Sequence, residues 1–199
     1  MEPNKNVGRS TLSKIQKYPR PLEILDSIRY GKLQPYTENM EDYARRDRAL
    51  VCLCYLLACR ISEVLRLKRN QFFIETDRII VSAIKLSKRR KKDLARISEY
   101  RQEAWLPKTG NRSQLTLLVL EYLETLKPEE LLFPFGRRWA WQIVKTMTGI
   151  TPHWYRAFGE NYLYDVWEKD MIAVADYVKV DIRTLPLYIR RGYAKYQPS

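Results

Sequence analysis

The chain has 199 residues, of which 45% are apolar and 30% charged, which suits one globular domain or one domain with a short appendage. Lys and Arg number 36 against 23 Asp and Glu, giving a formal net charge of +13, and this excess favours an anionic polymer as partner. No apolar run approaches the roughly 18 residues that a membrane span needs, which argues against a transmembrane protein.

The first 41 residues have the composition of a basic arm or linker. Four prolines lie among scattered basic residues, and only residues 22–30 have a helix-like pattern. We therefore expect an arm with one short helix at 1–41 and the main domain at 42–199. The start of the chain lacks the apolar core of a signal peptide.

The three cysteines, Cys52, Cys54 and Cys59, lie in one apolar segment, residues 49–59. They have neither C-x-x-C spacing nor histidine partners, which argues against a zinc site and a disulfide framework. We expect small core residues in a reducing compartment and a cytoplasmic location.

From residue 42 onward the pattern predicts helices with one small sheet. Residues 45–59 resemble a buried helix of about four turns, and Ser62 is placed to cap a second helix. Residues 78–84 are β-branched and predict a strand, and a second extended run follows at 104–107. Further helices are predicted at 113–126, 137–147, 152–167, 169–178 and 183–193. The expected fold class is α+β, mostly α-helical, with one small antiparallel β-sheet.

Residues suited to phosphate chemistry recur along this domain. Arg60 stands between two predicted helices, Arg156 follows the single histidine, His153, by three residues, and Tyr188 lies near the end. Two guanidiniums can grip the non-bridging oxygens of a phosphate, and a tyrosine can attack the phosphorus. Each residue has an ordinary alternative: Arg60 can cap the preceding helix, and a lone histidine usually has no special role.

His153 and Arg156 share one face of the predicted helix because they are three residues apart. Pro152 is tolerated in the first turn, which places His153 near the positive end of the helix dipole. This end of the helix favours an anion.

These strings resemble the tyrosine recombinases, the phage-integrase family. Arg60-Ile61-Ser62-Glu63 matches the first-arginine motif of that family, although Cys59 stands where leucine is usual. His153-x-x-Arg156, preceded by Phe133-Pro134 and Gly149, matches the second motif. The resemblance implies the helical catalytic domain of the DNA breaking-rejoining enzymes.

The resemblance covers about residues 42–193 and leaves out the DNA-clamping domain that precedes this domain in most integrases. The chain is therefore expected to be either a catalytic fragment or a short, single-domain member. Its departures from the family pattern suggest a divergent branch, as in the archaeal viral and plasmid integrases.

The resemblance also implies a general acid in the turn after the first strand. The family uses a lysine there to protonate the leaving 5′ oxygen. Lys85, Lys88 and Arg90 align with the family's Lys-x-x-Lys-x-Arg pattern. Lys85 is the predicted acid and Lys88 the alternative. A lysine among cations should have a lowered pKa, which suits proton donation. About 12 residues are inserted before the returning strand, by comparison with the family pattern.

Tyr188 is the predicted nucleophile. It lies 32 residues beyond Arg156, a separation typical of the family, and Thr184-Leu185-Pro186-Leu187-Tyr188 resembles the string that holds the family nucleophile. Its rivals are Tyr177, Tyr193 and Tyr196. Lys179 stands where the family has histidine or tryptophan; it is predicted as an active-site cation, with an ordinary surface lysine as the alternative.

Positive charge is densest at residues 85–92, where six of eight residues are cationic. Such a cluster suits contact with the DNA backbone. The residues predicted to contact DNA are Lys88, Arg89, Arg90, Lys91, Lys92, Arg137 and Arg138.

The resemblance implies a site-specific DNA recombinase or integrase that acts on double-stranded DNA through a 3′-phosphotyrosyl intermediate. It would self-associate on DNA as a dimer or tetramer and need no metal and no cofactor. One alternative keeps the chemistry in a type IB topoisomerase or a telomere resolvase. The other is a non-catalytic DNA-binding protein on a degenerate recombinase fold.

Overall fold

The structure is a computed structural model that describes residues 19–29, 31, 40–86, 99–178, 180–186 and 189. Within these residues the chain forms helices and one three-stranded sheet. The elements in chain order are α1 (Pro21–Arg29), α2 (Met40–Leu56), α3 (Ile61–Val64), a 3-10 turn (Arg69–Gln71), β1 (Phe72–Ile74), β2 (Arg78–Leu86), β3 (Glu99–Pro107), α4 (Ser113–Leu123), α5 (Arg137–Thr148), α6 (Pro152–Val166) and α7 (Met171–Val178). The predicted α+β class is confirmed.

Helix α2 is the centre of the core. Every residue from 49 to 57 is buried, because the helix packs against α1, α4, α5 and α6 and so needs apolar side chains all round. The prediction of a buried helix at 45–59 is confirmed, although the helix begins at Met40 and ends at Leu56. The chain then turns at Ala58, whose φ of 46° lies in the left-handed region.

The prediction that Ser62 caps the next helix is wrong. Helix α3 begins at Ile61, and its N-cap is Arg60. The Arg60 backbone N–H donates to Glu63 Oε2 at 2.8 Å. A carboxylate at the third helical position therefore binds the capping residue, as in a capping box, and no serine cap is needed.

The sheet is antiparallel in the order β1–β2–β3. Val81 on β2 is paired with Phe72 on one side and Ala104 on the other, and all three are buried. The two predicted strands are confirmed and are longer than expected, because pairing extends them to Leu86 and back to Glu99. Strand β1 was not predicted, since three residues are too few to show an alternating pattern.

The later helices lie close to their predicted positions. Gly149, with φ 73°, ends α5, and Pro152 occupies the first turn of α6. Helix α7 begins later than residue 169, because Glu168 and Lys169 have positive φ values and Asp170 accepts N–H bonds from the first turn. Most of the helix predicted at 183–193 lies outside the described residues.

All three cysteines are buried, as expected for small core residues. Burial raises the pKa of the Cys52 and Cys54 thiols. Within the described ranges, no helix combines the length and apolar character needed to cross a bilayer.

Helix α6 approaches the end of α2 closely at Gly159. A Cβ at this position would lie 2.2 Å from the Tyr55 carbonyl oxygen and 3.2 Å from Ala58 Cβ. The missing side chain therefore permits the two helices to touch through their backbones.

Gly159→Ala is expected to lower the free energy of unfolding by about 1–3 kcal/mol, because the added methyl forces the backbones apart. Urea unfolding followed by circular dichroism measures the change. Gly136→Ser is the control, since a Cβ at 136 meets nothing within 4 Å and serine suits its N-cap position. Equal stability of Gly159→Ala and the control would show that the helices are not held in backbone contact here.

Candidate active site

A cavity of about 320 Å³ opens where the starts of α3, α5 and α6 meet. Helix α5 packs against both α3 and α6. The residues that line the cavity are Cys59, Arg60, Ile61, Ser62, Arg137, Trp141, Pro152, His153 and Arg156.

Arg60 reaches the cavity from the junction between α2 and α3. Its Nη1 donates to Glu63 Oε1 at 3.1 Å, while its backbone N–H binds the other oxygen of the same carboxylate. The Arg60 side chain is 37% exposed and the Glu63 side chain only 2%. The carboxylate thus holds the guanidinium from the protein side.

Arg156 is anchored in the same way but is buried. Its Nε donates to Glu160 Oε1 at 2.7 Å, and the two side chains are 3% and 0% exposed. They lie four residues apart on α6, a spacing that brings side chains together. A buried guanidinium of this kind keeps its charge because a carboxylate compensates it.

His153 is exposed at the mouth of the cavity, in the first turn of α6. Thr151 is the N-cap and Pro152 the first helical residue, which confirms the predicted position of His153 at the positive end of this helix. Since Pro152 and His153 both line the cavity, the positive end of the helix faces it.

The cavity is suited to an anion. Arg60, Arg137, Arg156 and His153 line it, and none of the described lining residues is acidic. Two or more guanidiniums at one place can bind the oxygens of a phosphate by charge-assisted hydrogen bonds. The described part of the chain contains no cluster of three or more His, Cys, Asp or Glu residues that could hold a metal ion.

Of the other predicted site residues whose side chains the structure describes, Arg138 does not line the cavity. Lys85 lies in β2, paired with Tyr100 of β3, and Arg138 is an exposed residue of α5. Six further predicted residues lie outside the described part of the chain: Lys88, Arg89, Arg90, Lys91, Lys92 and Lys179. The predicted nucleophile Tyr188 and its rivals Tyr193 and Tyr196 also lie outside it.

Residues on either side of position 188 pack next to the Arg60 junction. Leu185 and Ile189 belong to a small buried cluster that also includes Ala58, Leu163 and Val174. Ala58 lies two residues before Arg60. Leu185 and Ile189 are therefore held in the same cluster as Ala58, which belongs to the segment that leads into Arg60.

Tyr177, one of the rival nucleophiles, lies outside the cavity lining. Its ring packs edge-on against Trp167, with centroids 5.3 Å apart. Burial raises the pKa of Tyr177 to about 12, which makes its phenolate harder to form. Neither observation favours attack by this tyrosine.

Two residues at this site were not identified from the sequence. Glu160 could have been found, because it follows Arg156 by four residues on a predicted helix and that spacing favours an ion pair. Trp141 could not, since an aromatic residue on an amphipathic helix is usually a core residue. Only the packing of α5 shows that its ring lies outside the core.

The fold is similar to that of solved recombinases. A pre-cleavage complex of the XerH site-specific recombinase with difH substrate superposes with a TM-score of 0.59 and 18% identity, covering 93% of this chain and 50% of that one. A post-cleavage complex with palindromic difH gives 0.61 and 17%, covering 96% and 49%. No family model and no curated protein matches the sequence. The chain thus has a recombinase-like fold and spans about half the length of these structures.

Glu160→Gln is expected to lower the free energy of unfolding by about 3 kcal/mol, because it leaves the Arg156 charge buried without its carboxylate. The matched control is Glu41→Gln, which removes the carboxylate of another i,i+4 pair, with Arg45, whose Glu41 side chain is 80% exposed. The control should cost less than about 1 kcal/mol. Equilibrium urea unfolding of both variants measures the difference, and equal losses would contradict the assigned role of Glu160.

Proposed function

We propose that this chain is a site-specific DNA recombinase that cuts and rejoins DNA through a 3′-phosphotyrosyl intermediate. One observation carries the proposal: Arg60, His153 and Arg156 line a single cavity, although they come from two distant segments of the chain. The recombinase-like fold supports the same conclusion.

In the proposed reaction Arg60 and Arg156 bind the non-bridging oxygens of the scissile phosphate. They stabilise the negative charge that develops on these oxygens in the transition state. His153 adds a hydrogen bond and accepts the proton of the attacking phenol. Lys179 supplies a further hydrogen bond to the phosphate.

Tyr188 is the proposed nucleophile. A bond forms between its phenolic oxygen and the phosphorus, and the bond from phosphorus to the 5′ oxygen breaks. The packing of Leu185 and Ile189 in one cluster with Ala58 supports this assignment, because it ties the neighbours of Tyr188 to the neighbours of Arg60. Attack by the 5′ hydroxyl of another strand then reverses the step, so no nucleotide or metal is required.

The leaving 5′ oxygen receives a proton from Lys85, with Lys88 as the alternative donor. Lys85 is the penultimate residue of β2, and this strand packs against α3, the helix that Arg60 caps. This packing supports a general acid close to the phosphate site.

Double-stranded DNA is the proposed substrate, and the proteins of similar fold are recombinases bound to their DNA substrates. The net charge of +13 favours the same partner. Arg138 and the cationic residues 88–92 would contact the DNA backbone. Self-association on DNA and membership of a divergent integrase branch are parts of the same proposal.

Tyr188→Phe removes only the hydroxyl group and is expected to abolish the covalent protein–DNA adduct on a nicked suicide substrate while DNA binding persists. The adduct is measured by denaturing gel electrophoresis, in excess chelator because the mechanism uses no metal. Tyr177→Phe is the control and should still form adduct. An adduct mapped by peptide sequencing to another tyrosine would refute the assignment of Tyr188.

Arg60→Lys and Arg156→Lys keep the positive charge but lose the planar fork that binds two phosphate oxygens. Each is expected to cleave at least about 100-fold more slowly, the cost of losing one donor to a developing oxyanion. DNA affinity should change little. Arg45→Lys is the matched control and should cleave normally, since Arg45 pairs with Glu41 on α2 and is neither a cavity residue nor a proposed DNA contact. Near-normal cleavage by Arg60→Lys or Arg156→Lys would remove that arginine from the site.

A further inference from the structure

Trp141 lies on the wall of the phosphate cavity and outside the protein core. The buried face of α5 consists of Ala140, Ile143, Val144 and Met147. Trp141 instead is 44% exposed and lines the cavity with the arginines. A large apolar ring placed in this way contributes little to the packing of the core, so packing alone does not account for its position.

Arg137 precedes Trp141 by four residues and also lines the cavity. Residues four apart lie one above the other on a helix, so the guanidinium and the indole form one continuous strip of α5. This strip stands beside the Arg60 and Arg156 pair that would hold the scissile phosphate. The cavity, at about 320 Å³, is also larger than a single phosphate group needs.

A cation followed by an exposed aromatic ring is the combination that binds single nucleotides of a nucleic acid. The cation neutralises a phosphate, and the flat face of the ring stacks on a base, whichever base it is. Stacking requires a base that has left the double helix, because a paired base is covered on both faces by its neighbours.

We propose that Arg137 and Trp141 form a nucleotide subsite next to the scissile phosphate. Arg137 binds the adjoining phosphate, and Trp141 stacks on the unpaired base between the two phosphates. This inference rests on the proposed function in that it takes the cavity to be a DNA phosphate site. It adds that the strand is held with one base unstacked beside the cut.

The test compares two probes that carry equal numbers of phosphates: a short oligothymidylate and an abasic oligonucleotide of the same length. Trp141→Ala is expected to weaken binding of oligothymidylate about tenfold, as the loss of one stacked base implies, and to leave binding of the abasic probe unchanged. Trp141→Phe should recover most of the loss because it restores a ring. Fluorescence anisotropy at one fixed salt concentration measures all the affinities.

Trp139→Ala is the matched control. Trp139 is on the same helix and is 42% exposed, but it is not among the residues that line the cavity. Its removal should leave both affinities unchanged. Arg137→Gln should weaken both probes equally, since it removes a phosphate contact and no base contact.

Three results would overturn the subsite: equal effects of Trp141→Ala and Trp139→Ala, an equal loss by Trp141→Ala on both probes, or no binding of oligothymidylate by the unchanged protein. None of these measurements involves cleavage. If the probes behave as expected while the unchanged protein forms no covalent adduct, the subsite stands and the recombinase chemistry fails. If the unchanged protein forms the covalent adduct but Trp141→Ala has no selective effect on oligothymidylate, the recombinase chemistry stands and the stacking contact fails.

Discussion

The backbone contact between α6 and the end of α2 controls the geometry of the whole site. Gly159 leaves no more than backbone between α6 and the Tyr55 carbonyl, so the two helices are held at a short, fixed separation. Arg60 follows α2 after the bend at Ala58, and Arg156 lies about one turn before Gly159 on α6. The distance between Arg60 and Arg156 is therefore set by close packing of the core, which tolerates little displacement.

Concentrating positive charge in one cavity costs free energy through repulsion, and buried carboxylates on the core side of the arginines reduce this cost. Glu63 binds Arg60 and Glu160 binds Arg156, and both carboxylates are buried on the side facing the core. Each carboxylate fixes the direction of its guanidinium while the cavity side keeps an excess of positive charge. In the proposed reaction a phosphate would meet donors that are already oriented, an arrangement that favours stabilisation of a transition state.

In the proposed complex, helix α5 would connect the phosphate site to the rest of the nucleic acid. One face of the helix is part of the core, and charged and aromatic side chains cover the rest of its surface. Rigid packing of the inner face holds the outer face in position relative to α3 and α6. A DNA strand bound by Arg60 and Arg156 would therefore also be held at its neighbouring nucleotide by the same rigid group of helices. Because that nucleotide is already positioned, less conformational freedom is lost when the strand is aligned for attack.

The sequence by itself determined the α+β class and the main helices, and it singled out Arg60, His153 and Arg156, because periodic apolar residues and the strings around Arg60 and His153 are local signals. It did not determine β1, which exists because β2 pairs with it, nor the start of α3, where Arg60 is the N-cap in place of Ser62 and Glu63 binds its backbone N–H. The convergence of Arg60, Arg137, His153 and Arg156 on one cavity, and the exclusion of Trp141 from the core, were decided only by tertiary structure. Both depend on how three helices pack, and a local pattern specifies the face of a helix but not its neighbour.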